Sequence, residues 1–291
     1  MPILTLDELE QMTPLFRGSV GHALVRSVMH MLRIDEINAL YDRHAHLRGA
    51  DFARSVLEEL EVEYELFVDT HEVVAQLDEL GQGTPFITIS NHPYGHLDGL
   101  ILADYFGHRR ADYRLMANQL LSRVEALSPS LITVTPTGVE HTAATATSIV
   151  GVRQSLRHLR SGGALGLLPA GAVSDLSLRD GYVRDREWQP ANIRLIAHAQ
   201  VPIVPVHFMD GNSPLYYRLG LVGWRVRLLR LPAEVLNKAH RPVRLCIGAP
   251  ISVEEQQQYL ATHSLEEYGR WLRVRSGERL ARNDFRHKHR K

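Results

Sequence analysis

The hydrophobic pattern of this chain alternates between strand signals and helix signals. Short apolar runs rich in β-branched residues, such as FITIS at 86–90, predict buried strands, and apolar residues spaced three and four apart predict helices. The predicted strands are 63–68, 86–90, 131–136, 164–169, 202–208, 224–231 and 242–248. The predicted helices are 19–33, 51–60, 73–80, one directly after residue 99, 146–160, 192–199 and 265–280. This order predicts an α/β fold with a mostly parallel central sheet flanked by helices.

The two ends of the chain are predicted to differ from this α/β part. Residues 1–60 are expected to form an N-terminal helical segment, 61–281 the α/β domain and 282–291 a basic tail. The helix predicted over 19–33 carries an apolar side and a basic side, formed by Val20, Leu24, Val28 and Met31 and by His22, Arg26 and His30. It either covers the core or lies on a membrane surface.

Composition narrows the classes of protein. Hydrophobic residues make up 44% of the 291 positions and charged residues 23%, as in an ordinary globular domain. No run approaches the roughly 18 to 20 apolar residues that span a bilayer, and the first residues lack a secretion signal, so a cytoplasmic location is expected. The single cysteine, Cys246, excludes an intramolecular disulfide and a multi-cysteine metal site, and is interpreted as a buried structural thiol.

The net charge of zero conceals a basic C-terminal quarter. From residue 218 onward there are 16 Lys and Arg against 7 Asp and Glu. Such a segment suits anionic lipid head groups, phosphate or nucleic acid, or forms an ordinary solvated surface. The aromatic and basic stretch at 215–231 is a candidate membrane contact, with an edge strand guarded by basic residues as the alternative.

The strongest chemical signal is NHPYGHLDG at 91–99, directly after a predicted strand. Pro93 and Gly95 favour a loop. His92 can accept a proton from an attacking hydroxyl or amine, provided that a carboxylate such as Asp98 holds the ring in the right tautomer. Among sixteen histidines this pair alone could be a surface turn, but the end of a parallel strand is where such folds place their sites.

This segment resembles the first motif of the lysophospholipid acyltransferases, Asn-His, four residues and Asp. It is more similar to the NHP-x-G-x-LDG form of the hemolysin-like, ornithine-lipid-type branch. Five residues separate His92 from Asp98 here, and Gly95 could absorb the extra one in a bulged turn. Similar segments follow in the family's order, at 116–123 (MANQLLSR), 167–175 (LLPAGAVSD) and 201–208 (VPIVPVHF).

The resemblance implies transfer of a fatty acyl group from a thioester, on an acyl carrier protein or coenzyme A, to a hydroxyl or amine of a membrane lyso-lipid. It makes His92 the general base and Asp98 its orienting partner, without a metal, a cofactor or a nucleic-acid partner. The implied substrate-binding positions are Asn91, Gly95, Asn118, Pro169, Gly171 and Ser174, with a helical segment at 116–123 shaping the acceptor pocket. The enzyme would be peripheral, on the inner face of the cell membrane.

The third motif departs from the family pattern. It is usually Phe-Pro-Glu-Gly-Thr-Arg-Ser, whereas this chain has Ala170, Ala172 and Val173 at the polar positions. Without that Arg a phosphate-bearing acceptor is disfavoured, and a lipid with another head group is expected. An Arg from elsewhere, such as Arg179 or Arg184, is the alternative source of charge.

Two other functions are compatible with the same residues. Aminoacyl transfer from a carrier protein to lipid A would use the same His92 and Asp98 pair. A non-catalytic, membrane-binding protein, as the label hemolysin suggests, would not need that pair.

Overall fold

In the computed structural model, residue 30 and residues 32–68, 71–80, 83–134 and 146–277 are described. The helix predicted over 19–33, except for its last residues, and the tail at 282–291 lie outside these ranges. The proposed division of the chain into three segments therefore stays a prediction.

A seven-stranded sheet forms the centre of the described fold. The strands of the molecule are β1 (Tyr64–Val68), β2 (Phe86–Ser90), β3 (Arg114–Asn118), β4 (Leu131–Val134), β5 (Ala164–Leu167), β6 (Asp175–Ser177), β7 (Tyr182–Arg184), β8 (Ile203–Phe208) and β9 (Val243–Ile247). The sheet order is β1-β9-β8-β2-β5-β3-β4, and β6 and β7 form a separate antiparallel hairpin. Only the β8–β9 pairing within the sheet is antiparallel. The α/β fold with a mostly parallel central sheet is thus confirmed.

Helices cover both faces of this sheet. They are α1 (Ile34–His44), α2 (Gly49–Glu59), α3 (His71–Leu80), α4 (His96–Gly107), α5 (Ala146–Arg160), α6 (Pro190–Ala199), α7 (Pro214–Val222), α8 (Trp224–Leu229), α9 (Leu231–Leu236), α10 (Val253–Leu260) and α11 (Leu265–Ser276). On β2, Phe86 packs into the core formed with α1, α2 and α4, whereas Ile87 and Ile89 pack into the core formed with α6 and α11. Alternate side chains of a strand point to opposite faces, so β2 is buried throughout.

One predicted strand is wrong. The sequence predicts a strand at 224–231. Instead it forms α8 and the start of α9, with Arg227 buried and Leu228 exposed. The spacing of its apolar residues fits a helix as well as a strand, and tertiary contacts of Arg227 decide between them.

The block at 116–123 also differs from its expected helical form. Residues 116–118 complete β3, and a short 3-10 helix, Gln119–Arg123, follows. The sequence pattern gave no signal for β3, for the β6–β7 hairpin, or for helices α1, α7, α9 and α10.

Cys246 is buried in β9 as a free thiol, as expected. None of the helices in the described ranges combines the length and apolar character needed to cross a membrane.

The sheet brings three strand ends to one edge. Ile89 of β2 pairs with Leu167 of β5, and β5 also pairs in parallel with β3, which ends at Asn118. The loops that follow β2 and β5 therefore leave the sheet side by side. Such an edge is where open parallel sheets place their ligands.

Candidate active site

His92 and Asp98 meet at the carboxyl end of β2. His92 Nδ1 lies 2.8 Å from Asp98 Oδ2. The loop turns the chain so that α4 begins at His96 and carries Asp98 in its first turn. The His92 side chain is 18% exposed, whereas that of Asp98 is fully buried. Nδ1 of His92 is bonded to Asp98. No described residue forms a hydrogen bond with Nε2, so Nε2 is the nitrogen that can accept a proton from a substrate.

The carboxylate of Asp98 is held through one oxygen. The backbone N–H groups of Tyr94 and Gly95 also donate to Oδ2, at 3.0 and 2.9 Å. Burial raises the pKa of Asp98, and the hydrogen bonds from His92, Gly95 and Tyr94 oppose that rise. Backbone donors and the positive end of a helix both favour the ionised form. The geometry therefore fits a neutral imidazole that donates its Nδ1 proton to an ionised Asp98.

Gly95 provides the backbone conformation that lets five residues separate His92 from Asp98 while their side chains meet. Its φ of 83° lies in the region that side chains disfavour, and a Cβ there would lie 2.8 Å from Leu231 Cδ2 and 3.3 Å from Val173 Cγ2. A glycine at this point lets the loop turn tightly and lets α9 pack directly against it.

Asn91 fixes the start of the loop to the neighbouring strand. Its Nδ2 donates to the Phe208 carbonyl and its Oδ1 accepts the Phe208 N–H, both at 2.8 Å. The side-chain amide is thus engaged with the backbone of β8. Its contact to substrate, implied by the resemblance, stays a prediction, and the structure gives Asn91 a role in positioning His92.

The third motif lies directly against the loop at 91–95, which we call the catalytic loop because it carries the candidate base His92. The Ser174 N–H donates to the His92 carbonyl at 2.9 Å, and the Ser174 hydroxyl donates to Asp185 Oδ1 at 2.5 Å. Asp185 Oδ1 in turn accepts the His92 N–H at 3.1 Å. Burial raises the pKa of Asp185, opposed by the hydrogen bonds from Ser174 and His92. These contacts fix the backbone of His92 between two loops.

Pro169 and Gly171 shape the turn before Ser174. The Pro169 carbonyl accepts hydrogen bonds from Gln189 N–H and from the side chain of Asn192. Gly171 has a φ of 68°, and its N–H donates to the Leu168 carbonyl at 2.9 Å. Their predicted role in substrate binding stays a prediction.

Similarity to known proteins agrees with this arrangement. A family model described as Acyltransferase matches residues 9–281. The chain belongs to this acyltransferase family. The lyso-glycine lipid O-acyltransferase of Phocaeicola vulgatus is 26% identical over 239 residues, covering 78% of each chain. The protein of the same name from Bacteroides thetaiotaomicron is 26% identical over 234 residues, covering 78% of this chain and 79% of that one.

The protein is therefore an enzyme that transfers acyl groups, and its relatives act on lipids. The alternative of a non-catalytic membrane-binding protein is excluded. In the described part of this acyltransferase, no cluster of three His, Cys, Asp or Glu side chains is arranged to hold a metal ion.

Asn118 lies at the same edge of the acyltransferase sheet but further from the pair. It ends β3, which is separated from β2 by β5. Two strand spacings amount to about 10 Å. Asn118 is exposed and flanks the His92 loop.

Arg227 is a site residue that the sequence did not reveal. It is only 3% exposed, and its guanidinium donates to the carbonyls of Ser174 and Val173 at 3.0 and 2.9 Å and pairs with Asp175. The arginine therefore holds the third motif of the acyltransferase from behind. Because Nη1 and Nη2 bind the protein itself and Nε is buried, Arg227 offers no accessible pair of N–H groups to a phosphate.

The catalytic loop is also held from α7. The Tyr217 hydroxyl donates to the Pro93 carbonyl at 2.8 Å, and Asn212 Nδ2 donates to the Tyr94 carbonyl at 3.1 Å. The Asn212 N–H donates to the Tyr217 hydroxyl at 3.1 Å. Both residues lie outside the four segments on which the resemblance was based. Asp185 had no signal in the sequence, because a lone Asp in a polar stretch resembles a surface residue, and Arg227 was assigned only to a candidate membrane contact at 215–231.

Proposed function

We propose that this enzyme moves a fatty acyl group from a thioester, on an acyl carrier protein or coenzyme A, to a hydroxyl of a membrane lyso-lipid. His92 acts as the general base and Asp98 orients it. The observation that carries this proposal is the 2.8 Å contact from His92 Nδ1 to a fully buried Asp98, which leaves Nε2 for the acceptor. The hemolysin-like, ornithine-lipid-type branch of the family is part of the same proposal.

The reaction is a direct transfer. Nε2 of His92 takes the proton of the acceptor hydroxyl as its oxygen attacks the thioester carbonyl, and Asp98 stabilises the imidazolium that forms. The C–S bond breaks, the proton passes to the leaving thiolate, and an ester and a free thiol result. The N–H groups of Ala172 and Val173, which have no hydrogen-bond partner among the described residues, are our candidates for stabilising the oxyanion.

We infer that the acceptor carries no phosphate at its head group. Ala170, Ala172 and Val173 replace the polar residues of the usual third motif. Arg227 is already bonded to the protein there, and Arg184 pairs with Asp180 at 3.2 Å. A buried dianion without such donors would cost several kcal/mol. Relatives named for lyso-glycine lipid O-acylation support a lyso-lipid with an amino-acid head group and a free hydroxyl as the acceptor.

The test is a competition assay. The purified full-length chain receives one acyl thioester and equal amounts of a lyso-glycine lipid and lysophosphatidic acid, and mass spectrometry identifies the products. We expect acylation of the amino-acid lipid, abolished by His92→Ala. Preferential acylation of lysophosphatidic acid would contradict the proposed acceptor. In a parallel assay with an aminoacyl carrier-protein thioester and lipid A, aminoacyl transfer would favour the alternative activity.

The acceptor is a membrane lipid in this proposal, so the enzyme must reach a bilayer. We propose peripheral attachment on the inner face of the cell membrane, supported by the basic C-terminal quarter of the sequence. The donor, acyl carrier protein or coenzyme A, is distinguished by supplying each thioester separately in the same assay.

A further inference from the structure

Exposed apolar side chains are concentrated on one part of the surface. Ten large apolar residues are exposed in the described chain, and six of them lie on the β6–β7 hairpin, α7 and α8. These elements therefore expose more apolar side chains to solvent than the rest of the described surface. We call this surface the docking face and define it by Leu178, Tyr182, Leu215, Leu221, Val222 and Leu228. Val222 and Leu178 are 78% and 76% exposed, the highest values among them.

The inner sides of the same elements hold the active site. Tyr216 and Tyr217 of α7 are buried in a small core with Val173, and Leu176 and Val183 of the hairpin pack against that core. Tyr217 also donates to the carbonyl of the residue after His92. The docking face and the catalytic loop therefore lie on opposite sides of one thin layer.

The face is basic as well as apolar. On α7, Leu215, Arg218 and Leu221 are exposed at intervals of three residues, which places them on one side of the helix. The hairpin adds two exposed arginines, Arg179 and Arg184, and a single exposed acid, Asp180. Apolar side chains between arginines are the pattern of a surface that inserts among acyl chains while contacting anionic head groups.

We propose that the docking face lies on an anionic lipid bilayer and holds the catalytic loop at the membrane surface. This inference rests on the proposed function, since it supplies the route by which a membrane lyso-lipid reaches His92. The outer side of the layer contacts lipid, and its inner side holds the catalytic loop through Tyr217 and the third motif through Arg227. A lipid acceptor then has to pass only this one thin layer to reach His92.

The experiment compares two glutamate variants of the full-length chain in vesicle flotation, without donor or acceptor. Val222→Glu changes the docking face, and Val274→Glu makes the same substitution at an exposed position of α11. Vesicles contain phosphatidylcholine with or without phosphatidylglycerol. We expect the wild type and Val274→Glu to float with the anionic vesicles. Val222→Glu should bind these vesicles at least about tenfold more weakly.

Charge is tested by Arg218→Gln, with Arg270→Gln on α11 as its control. We expect Arg218→Gln alone to weaken binding to anionic vesicles and to reduce its dependence on salt. Unchanged binding of Val222→Glu, or equal loss in both valine variants, would overturn the proposal. Conversion of a wild-type dimer to a monomer by Val222→Glu, with vesicle binding unchanged, would instead assign the face to a second copy of the chain.

Turnover separates this inference from the proposed function. Val222→Glu should acylate detergent-dispersed acceptor at the wild-type rate and vesicle-embedded acceptor about tenfold more slowly. Equal rates in both formats would contradict the docking face. Vesicle binding that depends on Val222, together with no acyl transfer by the wild type, would support the docking face and refute the proposed function.

Discussion

Replacing Asp98 by Asn should remove the charge beside His92 while keeping its geometry. All three hydrogen bonds to this carboxylate reach one atom, Oδ2, so an amide oxygen can accept them in the same place. The amide nitrogen then takes the position of Oδ1, which is buried and has no partner. An unsatisfied buried donor costs about 1–3 kcal/mol of unfolding free energy. The variant should therefore fold, with reduced stability.

The catalytic loss should be much larger than this stability loss. Asp98 Oδ2 lies 2.8 Å from the imidazole of His92, which in the proposed mechanism becomes positive in the transition state. Opposite unit charges 4 Å apart interact by about 4 kcal/mol at an effective dielectric constant of 20, equivalent to about a thousandfold in rate. We expect kcat to fall by about 100-fold to 10,000-fold, with a small change in KM.

The assay measures initial rates by mass spectrometry of the acylated product, normalised to folded protein by circular dichroism. Asp104→Asn is the matched control, because Asp104 lies on the same helix, is 4% exposed, and accepts from Tyr64 and Arg54. It should lose stability without losing rate per folded molecule. A rate for Asp98→Asn within threefold of wild type, or an equal loss in Asp104→Asn, would refute the assigned role of Asp98.

Two other substitutions test the surroundings of the site. Gly95→Ala should lower the unfolding free energy by at least 1–2 kcal/mol in urea titrations, because φ is 83° and the new Cβ would clash with Leu231. An unchanged midpoint would mean that the loop relaxes freely. Arg227→Lys should cost about 1–3 kcal/mol, since one ammonium cannot replace the planar contacts to two carbonyls and Asp175. Full stability in this variant would show that those contacts contribute little.

Burial lowers the pKa of His207 to about 4. Between this pH and about 6.5, the ordinary pKa of histidine, the unfolded chain therefore binds more protons than the folded chain. The free energy of unfolding should fall as the pH drops through this window, by at most about 3 kcal/mol. His207→Gln should remove that loss in urea titrations at pH 7 and 4.5, and an unchanged slope would contradict it.

The fold was predictable where local pattern and tertiary environment agree. The run at 86–90 is largely apolar because β2 is buried on both faces. Pro93 and Gly95 indicate the loop that begins at Asn91. The strand prediction for 224–231 was wrong because the spacing of its apolar residues fits the period of a strand and that of a helix equally. Its outcome depends on Arg227, whose partners lie more than fifty positions earlier in the chain.

The His92 and Asp98 pair was predictable for the same reason, since both residues belong to one short segment. Asp185 was not, although it bonds directly to the His92 N–H, because 93 positions separate the two residues. Only the sheet order, which places β5 and β8 on either side of β2, brings the third motif and the loop after β7 to the catalytic loop. A single sequence carries no local signal for such contacts.

The central claim is that His92 is the general base, and the most direct measurement is the rate of acyl transfer by His92→Ala. The purified variant should show native circular dichroism, bind anionic vesicles as the wild type does, and transfer acyl groups about 100-fold to 10,000-fold more slowly. A correctly folded His92→Ala enzyme that acylates the lyso-lipid at the wild-type rate would contradict the account.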